Sequence, residues 1–140
     1  MQGTTCAPKN RPRVLVAEDD VAMRELVADI LRKEGFEVEE IADGRGLLQR
    51  LIQSLLPRRE GPPFDLVVSD VRMPFCTGLD ILEKVRLTHR GMPVLLMTAF
   101  SEAGLDARVR ELGGVLLDKP FTARALRRTV RDLLRDRGSP

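Results

Sequence analysis

Polar side chains that could do chemistry follow four short apolar runs of this 140-residue chain. In chain order they are Glu18, Asp19, Asp20, Asp70, Thr98 and Lys119. If the apolar runs are parallel strands of one sheet, their carboxyl ends share an edge, which is where ligands bind in such sheets. Up to three carboxylates would then meet a hydroxyl and an ammonium group, although about 100 residues of sequence separate the first from the last.

Carboxylates held this close repel one another unless a proton or a cation supplies the missing charge. Mg²⁺ suits the role, because it prefers oxygen ligands and is typically held by one or two carboxylates together with phosphate oxygens. Asp19 and Asp70 are the candidate ligands. Such an ion and a lysine would also stabilise a phosphoryl group moving onto a carboxylate, which makes Asp70 the candidate nucleophile.

Each of these residues also has a purely structural interpretation. Asp19 and Asp20 are typical helix N-cap residues, and the pattern predicts that Asp20 caps the first helix. Asp70 could be a turn residue, Thr98 a β-branched residue at a strand end, and Lys119 a surface charge. Their common position at the same end of different strands favours the chemical interpretation, because capping and solvation do not predict it.

The apolar spacing predicts five strands that alternate with five amphipathic helices. The strands are predicted at 13–17, 36–42, 65–69, 93–97 and 115–117. The helices are predicted around 23–31, 47–55, 79–85, 101–112 and 126–134, and the last should end before Gly138. Prolines and a glycine make 56–64 a surface connection. The predicted fold class is α/β, a three-layer, doubly wound parallel sheet.

Length and composition limit the remaining possibilities. A chain of 140 residues with a hydrophobic fraction of 43% predicts one globular domain. The net charge of +2 is too balanced for a protein that binds nucleic acid mainly by neutralising phosphates. No apolar run is long enough to span a membrane and no secretory signal is present, so a cytoplasmic location is expected. Cys6 and Cys76 lack a metal or redox spacing and are expected to be free thiols.

Four segments together resemble the receiver domain of bacterial two-component response regulators. They are Val14-Leu15-Val16-Ala17-Glu18-Asp19-Asp20, Asp70-Val71-Arg72-Met73-Pro74 with Gly78 four residues later, Thr98-Ala99, and Lys119-Pro120-Phe121. The resemblance implies a flavodoxin-like sheet with strand order 2-1-3-4-5. It covers residues 13–137, so the expected organisation is a flexible N-terminal tail over 1–12, the receiver domain, and a C-terminal tail over 138–140.

The resemblance also implies roles for the acidic residues. Asp70 is implied to be the phosphoacceptor. Glu18 and Asp19 are implied to be the acidic pair at a Mg²⁺ site, to which Asp70 also contributes. The backbone carbonyl of Arg72 would complete the protein ligands.

Further implied roles concern the phosphoryl group and its donor. Thr98 would bind one phosphoryl oxygen and Lys119 another, and a cis peptide bond would precede Pro120. The donor would be a phosphohistidine on a sensor histidine kinase or a phosphotransfer protein. A domain of this kind catalyses only its own phosphorylation and dephosphorylation, and it signals by changing its partner-binding surface.

Several features depart from the family pattern. Leu116 stands where the family usually has an aromatic switch residue, so no ring can rotate inward there. The segment 112–115 is one residue shorter than usual, and the connection 53–64 is longer. Arg72 and Phe100 flank the implied path of the hydrolytic water, and the bulk of Phe100 predicts slow loss of phosphate.

The last helix is a candidate interaction surface. Residues 120–140 carry six arginines and two aspartates. The arginines could dock a downstream protein, or a second receiver domain through Asp106 and Glu111 of the preceding helix, whereas the alternative is a solvated face. No helix-turn-helix is present, so direct contact with nucleic acid is not expected. His89 is expected at a helix end and not in phosphotransfer.

Two other functions remain open from the residues alone. A Mg²⁺-dependent phosphatase could also use an aspartyl phosphate, but the haloacid dehalogenase-like pattern needs a second Asp where this chain has Arg72. A degenerate receiver that binds partners without phosphorylation is disfavoured by the intact acidic, hydroxyl and lysine positions.

Overall fold

In a computed structural model of the chain, the described residues are 11–55, 64–100 and 102–138. The strands are β1 (Arg13–Ala17), β2 (Glu37–Ile41), β3 (Leu66–Asp70), β4 (Val94–Thr98) and β5 (Val115–Asp118). The helices are α1 (Val21–Lys33), α2 (Gly44–Gln53), α3 (Gly78–Thr88), α4 (Leu105–Glu111) and α5 (Ala123–Gly138). Cys6, the predicted N-terminal tail up to residue 10, the connection over 56–63 and residues 139–140 lie outside the described residues, as do the side chains of 136–138.

All five strands are parallel, and their order in the sheet is β2-β1-β3-β4-β5. This order confirms the predicted doubly wound, flavodoxin-like sheet. The chain moves outward from β1 to β2 and then returns past β1 to β3, so the strand order reverses between β1 and β3. In open α/β sheets, ligand sites lie at this reversal, beyond the carboxyl ends of the strands.

Helices cover both faces of the sheet. On one face, strand residues such as Leu15 and Leu96 pack with buried residues of α2, α3 and α4. On the other face, strand residues such as Val16 and Leu95 pack with buried residues of α1 and α5. Successive residues of a strand point to opposite faces, which explains why the central strands are continuous apolar runs. None of the described helices is long and apolar enough to cross a bilayer.

Several predicted boundaries were wrong. α4 begins at Leu105 instead of 101, because Gly104 has a φ of +85°, in the left-handed region that an α-helix cannot contain. β3 and β4 begin and end one residue later than predicted, so that they end with Asp70 and Thr98. β5 extends one residue further, to Asp118, whereas β2 is one residue shorter at each end. α5 continues through Gly138 and does not end before it.

The loop after β3 packs against the first turn of α2. Gly44 follows the N-cap Asp43, whose carboxylate accepts a hydrogen bond from the backbone N–H of Gly46 at 2.9 Å. A Cβ at Gly44 would lie 2.3 Å from the backbone carbonyl oxygen of Cys76 and 2.9 Å from its nitrogen. Only glycine allows this close approach of two backbones.

We expect Gly44→Ala to lower the free energy of unfolding by about 1–3 kcal/mol, because the new methyl group meets backbone atoms that cannot move aside cheaply. Urea denaturation followed by circular dichroism measures the change. Gly91→Ala is the matched control, since its Cβ would have nothing within 4 Å, and it should change stability by less than about 0.5 kcal/mol. Equal stability of the two variants would contradict the described packing of this loop on α2.

Candidate functional site

The carboxyl ends of four strands bring the predicted polar residues to one edge of the sheet. Asp70 and Thr98 are the last residues of β3 and β4, and Glu18 and Lys119 directly follow β1 and β5. The register pairs Thr98 with Asp118, so β4 and β5 end at the same level. The sheet therefore positions side chains that lie far apart in the sequence.

Three carboxylates form a cluster at this edge. One oxygen from each of Glu18, Asp19 and Asp70 lies within 4.8 Å of the other two. Glu18 is 1% exposed and Asp70 is 8% exposed, while Asp19 faces solvent. An all-oxygen donor set with two buried carboxylates fits a hard divalent cation, which makes the cluster a candidate metal site.

Lys119 places its ammonium group between the two buried carboxylates. Its Nζ lies 2.8 Å from Oε1 of Glu18 and 3.3 Å from Oδ1 of Asp70. Burial works to lower the pKa of Lys119, but the hydrogen bond to Glu18 and the charges of Asp70 and Glu18 outweigh it, so the pKa is raised above its ordinary value. Lys119 therefore keeps its charge at neutral pH.

The single ammonium group does not fully offset the carboxylates. Burial raises the pKa of Glu18 above its ordinary value, the nearby charge of Asp70 adds to the rise, and hydrogen bonds from Lys119 and the backbone of Asp20 only partly oppose it. A buried carboxyl with a raised pKa is one whose charged form lacks sufficient positive charge nearby. A cation at the cluster would supply that charge.

Asp20 has a different role from its two acidic neighbours. Its Oδ1 accepts a hydrogen bond from the backbone N–H of Ala22 at 3.2 Å and caps α1. Its own backbone N–H donates to Oε2 of Glu18 at 3.2 Å. The prediction that Asp20 caps the first helix is confirmed, and its carboxylate is not a member of the cluster.

The backbone around Asp70 is held by close packing. The backbone N–H of Gly78 donates to the carbonyl of Val71 at 2.9 Å, and a Cβ at Gly78 would lie 2.6 Å from the carbonyl oxygen of Asp70. Thr77 and Asp80 form a capping box that fixes the start of α3. The loop from β3 to α3 therefore closes back on Asp70 and limits its movement.

The hydroxyl of Thr98 is committed to a local turn. It donates to the carbonyl of Phe100 at 2.8 Å and accepts from the backbone N–H of Phe100 at 3.1 Å. The carbonyl of Thr98 accepts from the backbone N–H of Lys119 at 2.7 Å, and the Lys119–Pro120 bond is cis. Thr98 thus lies at the predicted edge, with its side chain tied to the loop that leads to α4.

Arg72 connects the loop after β3 to the loop after β4. Its guanidinium lies 5.7 Å from the centroid of the Phe100 ring and forms an ion pair with Glu102. Phe100 is 65% exposed, so its ring lies at the surface beside the site. Glu102 could not be selected from the sequence, because an exposed acidic residue in a loop has no distinguishing pattern.

The connection before β5 is held by a partly buried arginine that the sequence pattern did not single out. Arg86 donates from its guanidinium to the backbone carbonyls of His89, Arg90, Leu112 and Gly113. Burial lowers its pKa from the ordinary value. Leu116 is partly buried against the core on the same side of the sheet as α3 and α4. The shortened segment 112–115 is therefore anchored to the end of α3.

Three other candidates lie outside the cluster. His89 ends α3, with Nε2 3.2 Å from the hydroxyl of Ser54, which confirms its expected place at a helix end. Cys76 is a buried free thiol whose pKa is raised by burial and by the charge of Asp80. Asp106 and Glu111 form ion pairs inside α4, with Arg110 and Arg108.

Comparison with known proteins decides which family has this arrangement. Residues 14–131 match the response regulator receiver domain family. The chain belongs to this family. Among curated relatives, the transcriptional regulatory protein PdtaR of Mycobacterium tuberculosis is 38% identical over 112 residues, which are 79% of this chain and 50% of PdtaR. The response regulator MprA of Mycolicibacterium vanbaalenii is 40% identical over 128 residues, which are 88% of this chain and 50% of MprA.

Solved structures of receiver domains have the same fold. A CheY-like receiver domain protein from Methanospirillum hungatei superposes with a TM-score of 0.80 at 25% identity, covering 91% of this chain and 97% of that one. The response regulator TrrA of Thermotoga maritima, solved with Mg²⁺ and BeF, has a TM-score of 0.74 at 27% identity and covers 88% and 99%. The chain spans about half the length of the curated relatives named above.

A receiver domain is a signalling domain of a two-component system and not an enzyme that acts on a separate substrate. Membership of this family implies a sensor kinase as partner. The acidic pocket of Glu18, Asp19 and Asp70 is consistent with the phosphorylation site of such a domain.

We expect Asp19→Asn to raise the urea midpoint in the presence of EDTA, because it removes one of three mutually repelling charges. The gain should stay below about 1 kcal/mol, since Asp19 is exposed to solvent. Added MgCl₂ should stabilise the unchanged protein by binding the folded state, and it should stabilise the variant much less.

Asp20→Asn is the matched control for this prediction. It makes the same change of charge one residue away, and Asn caps a helix as well as Asp does. Its stability and its response to MgCl₂ should both match those of the unchanged protein. If the two variants showed the same change in stability and the same response to MgCl₂, the effect would come from the net charge of the protein. The cluster would then not be the metal site.

Proposed function

We propose that this receiver domain takes a phosphoryl group from a phosphohistidine of a sensor histidine kinase or phosphotransfer protein onto Asp70, and thereby changes its partner-binding surface. The observation that supports the proposal most strongly is the Asp70 carboxylate, 3.3 Å from the ammonium group of Lys119 in a cluster with Glu18 and Asp19. A fixed positive charge beside a carboxylate offsets the negative charge that a phosphoryl group brings with it.

In the proposed transfer, a carboxylate oxygen of Asp70 attacks phosphorus, a P–O bond forms and the P–N bond to histidine breaks. The electron pair of the P–N bond goes to the imidazole, which leaves as a neutral ring because its other nitrogen carries a proton. Lys119 contacts one phosphoryl oxygen and balances its charge. The hydroxyl of Thr98 contacts another only after it gives up its hydrogen bonds to Phe100, which couples the transfer to the loop before α4.

The proposed protein ligands of Mg²⁺ are Glu18, Asp19, Asp70 and the backbone carbonyl of Arg72. The support is the all-oxygen cluster, its incomplete charge balance and the similarity to TrrA, which was solved with Mg²⁺ and BeF. When bound, the ion would offset the charge on the phosphoryl oxygens. Lys119 would then share that task with the metal.

The proposal extends to the setting of the domain. PdtaR is named a transcriptional regulatory protein, and the stretch that matches it is half of its length, so we propose a role in gene regulation within or beside a longer regulator. The domain bounds 13–137, the cytoplasmic location and the use of the last two helices for a downstream protein or a receiver homodimer stay predictions.

Incubation of the protein with acetyl phosphate and MgCl₂ should add one phosphoryl group, detected by intact-protein mass spectrometry. Asp70→Asn should abolish the adduct, because an amide cannot act as the nucleophile. Asp20→Asn is the matched control and should be phosphorylated as fast as the unchanged protein, since it alters a nearby carboxylate outside the cluster.

The same experiment separates this proposal from its two rivals. A lasting adduct on Asp70 supports the signalling domain. Continuous release of inorganic phosphate in large excess over protein would instead support a phosphatase. No reaction of the unchanged protein would support a receiver that works without phosphorylation, and it would contradict the proposal.

We expect Phe100→Glu to speed loss of the phosphoryl group from Asp70 severalfold. The exposed ring of Phe100, stacked with Arg72 beside the site, blocks the approach of water, whereas a carboxylate leaves room for water and can orient it. The decay is followed by mass spectrometry after acetyl phosphate is removed.

Phe75→Glu is the control, since Phe75 is also an exposed phenylalanine, 71% exposed, and stacks with Arg45 instead of Arg72. It should leave the decay rate unchanged. An unchanged rate for Phe100→Glu would count against a role of this ring in phosphoryl lifetime.

A further inference from the structure

α5 carries a straight row of arginines on its outer face. Arg124, Arg128, Arg131 and Arg135 follow one another at intervals of four, three and four residues, which places them on one side of an α-helix. We call these four residues the arginine stripe. All four are exposed, and eleven residues of helix make the stripe roughly 17 Å long.

The arginine stripe has more positive than negative charge around it. A shallow depression of about 640 Å³ on this face is lined by five arginines and Asp132. The guanidinium of Arg135 donates a hydrogen bond to Oδ1 of Asp132 at 2.6 Å. Glu34, at the end of α1, pairs with Arg127 and with Arg131. Arg127, Arg131 and Arg135 therefore have acidic partners among the described residues.

Two members of the stripe have no counter-charge in the part of the chain that the structure describes. Arg124 and Arg128 form no hydrogen bond or ion pair with any described residue. Like charges at this helical spacing repel one another and destabilise the helix slightly. A stripe of this kind is complementary to an anionic partner.

The glutamates of β2 do not provide that partner through a second copy. Glu37, Glu39 and Glu40 lie on β2, at the edge of the sheet, but each already pairs with an arginine of the same chain. The balanced net charge of the whole sequence thus hides a local excess of positive charge on α5. The three glutamates of β2 are paired with arginines outside α5.

We propose that the arginine stripe binds the sugar–phosphate backbone of a nucleic acid. Guanidinium groups bind phosphate oxygens in a bidentate manner, and a row of them suits a regular row of phosphates. The contacts are to phosphate only and read no base sequence. This proposal departs from the expectation, drawn from the net charge and the missing helix-turn-helix, that the chain makes no direct contact with nucleic acid. The net charge averages over the whole chain, whereas phosphate contacts need only the local excess of positive charge on one helix face.

The surroundings of the stripe favour this partner over a protein or a membrane. Stable protein interfaces have an apolar centre, but no large apolar side chain of α5 is exposed among those that the structure describes. A helix that lies in a membrane surface needs a free apolar face. The apolar face of α5, with Leu126 and Val130, is buried against the sheet.

The test is fluorescence anisotropy of a labelled DNA duplex titrated with the full chain at several salt concentrations. We expect log K to fall with log salt with a slope of about −3 to −4, which corresponds to about four neutralised phosphates. Arg124→Gln combined with Arg128→Gln should weaken binding about tenfold at low salt and make the slope shallower by about 2.

Lys84→Gln combined with Arg90→Gln is the matched control, because it removes the same charge from two exposed residues on and just after α3. It should change the affinity less than twofold and leave the slope unchanged. Equal losses in the two double variants, or no binding of the duplex by the unchanged protein, would overturn the proposal.

Two competing partners are tested with the same variants. Vesicles that contain phosphatidylserine and a polyglutamate peptide should both bind more weakly than the duplex at equal charge concentration. Tighter binding of either one through the stripe would overturn the proposal in favour of a membrane or an acidic protein. Phosphorylation of Asp70 by acetyl phosphate should be the same in both double variants, so a failure of this proposal is distinct from a failure of the proposed function.

Discussion

The site depends on the charge balance between buried carboxylates and a single ammonium group at the carboxyl edge of the sheet. Glu18 and Asp70 are almost completely buried, and Lys119 lies within hydrogen-bonding distance of both. Glu18 and Lys119 are 101 residues apart in the chain, so they meet only when β1, β3, β4 and β5 are all in place. Because both carboxylates are buried, removing one partner would leave an unpaired charge away from water, which is strongly destabilising. The carboxylates also exceed the positive charge of Lys119, and a metal ion or protonation of a carboxylate must offset the difference.

The two loops beside the site differ in how firmly they are held. The loop from β3 to α3 is closed by Gly78 packed on the Asp70 backbone and by the capping box that starts α3. The loop from β4 to α4 depends on polar contacts of Thr98 and Arg72 with Phe100 and Glu102, and α4 lacks a side-chain cap. Asp70, the proposed phosphoacceptor, precedes the firmer loop, and the polar turn of Thr98 begins the other. This arrangement suits a site at which added charge alters one loop more than the other.

The sequence predicted the element order, the sheet class and the edge at which the polar residues meet, because these follow from apolar periodicity and from the geometry of parallel strands. The start of α4 was missed, since the pattern of apolar residues continues through Gly104 and does not show its backbone conformation. Glu102 and the carbonyls bound by Arg86 were missed for another reason. Contacts of one flexible side chain with a distant loop leave no periodic signal in the sequence. The sequence likewise does not show that the glutamates of β2 pair with arginines outside α5. The excess of positive charge on α5 could therefore be recognised only from the structure.

We propose that Glu18, Asp19, Asp70 and Lys119, which lie far apart in the sequence, form one site that binds a cation and receives a phosphoryl group. Its most direct test is an NMR titration of ¹⁵N-labelled protein with MgCl₂, followed by beryllofluoride. We predict saturable amide shifts concentrated at 18–20, 70–73, 98–100 and 119, with further change there when beryllofluoride is added. Absence of saturation, or shifts concentrated at other acidic residues such as Asp29 and Asp43, would contradict the account.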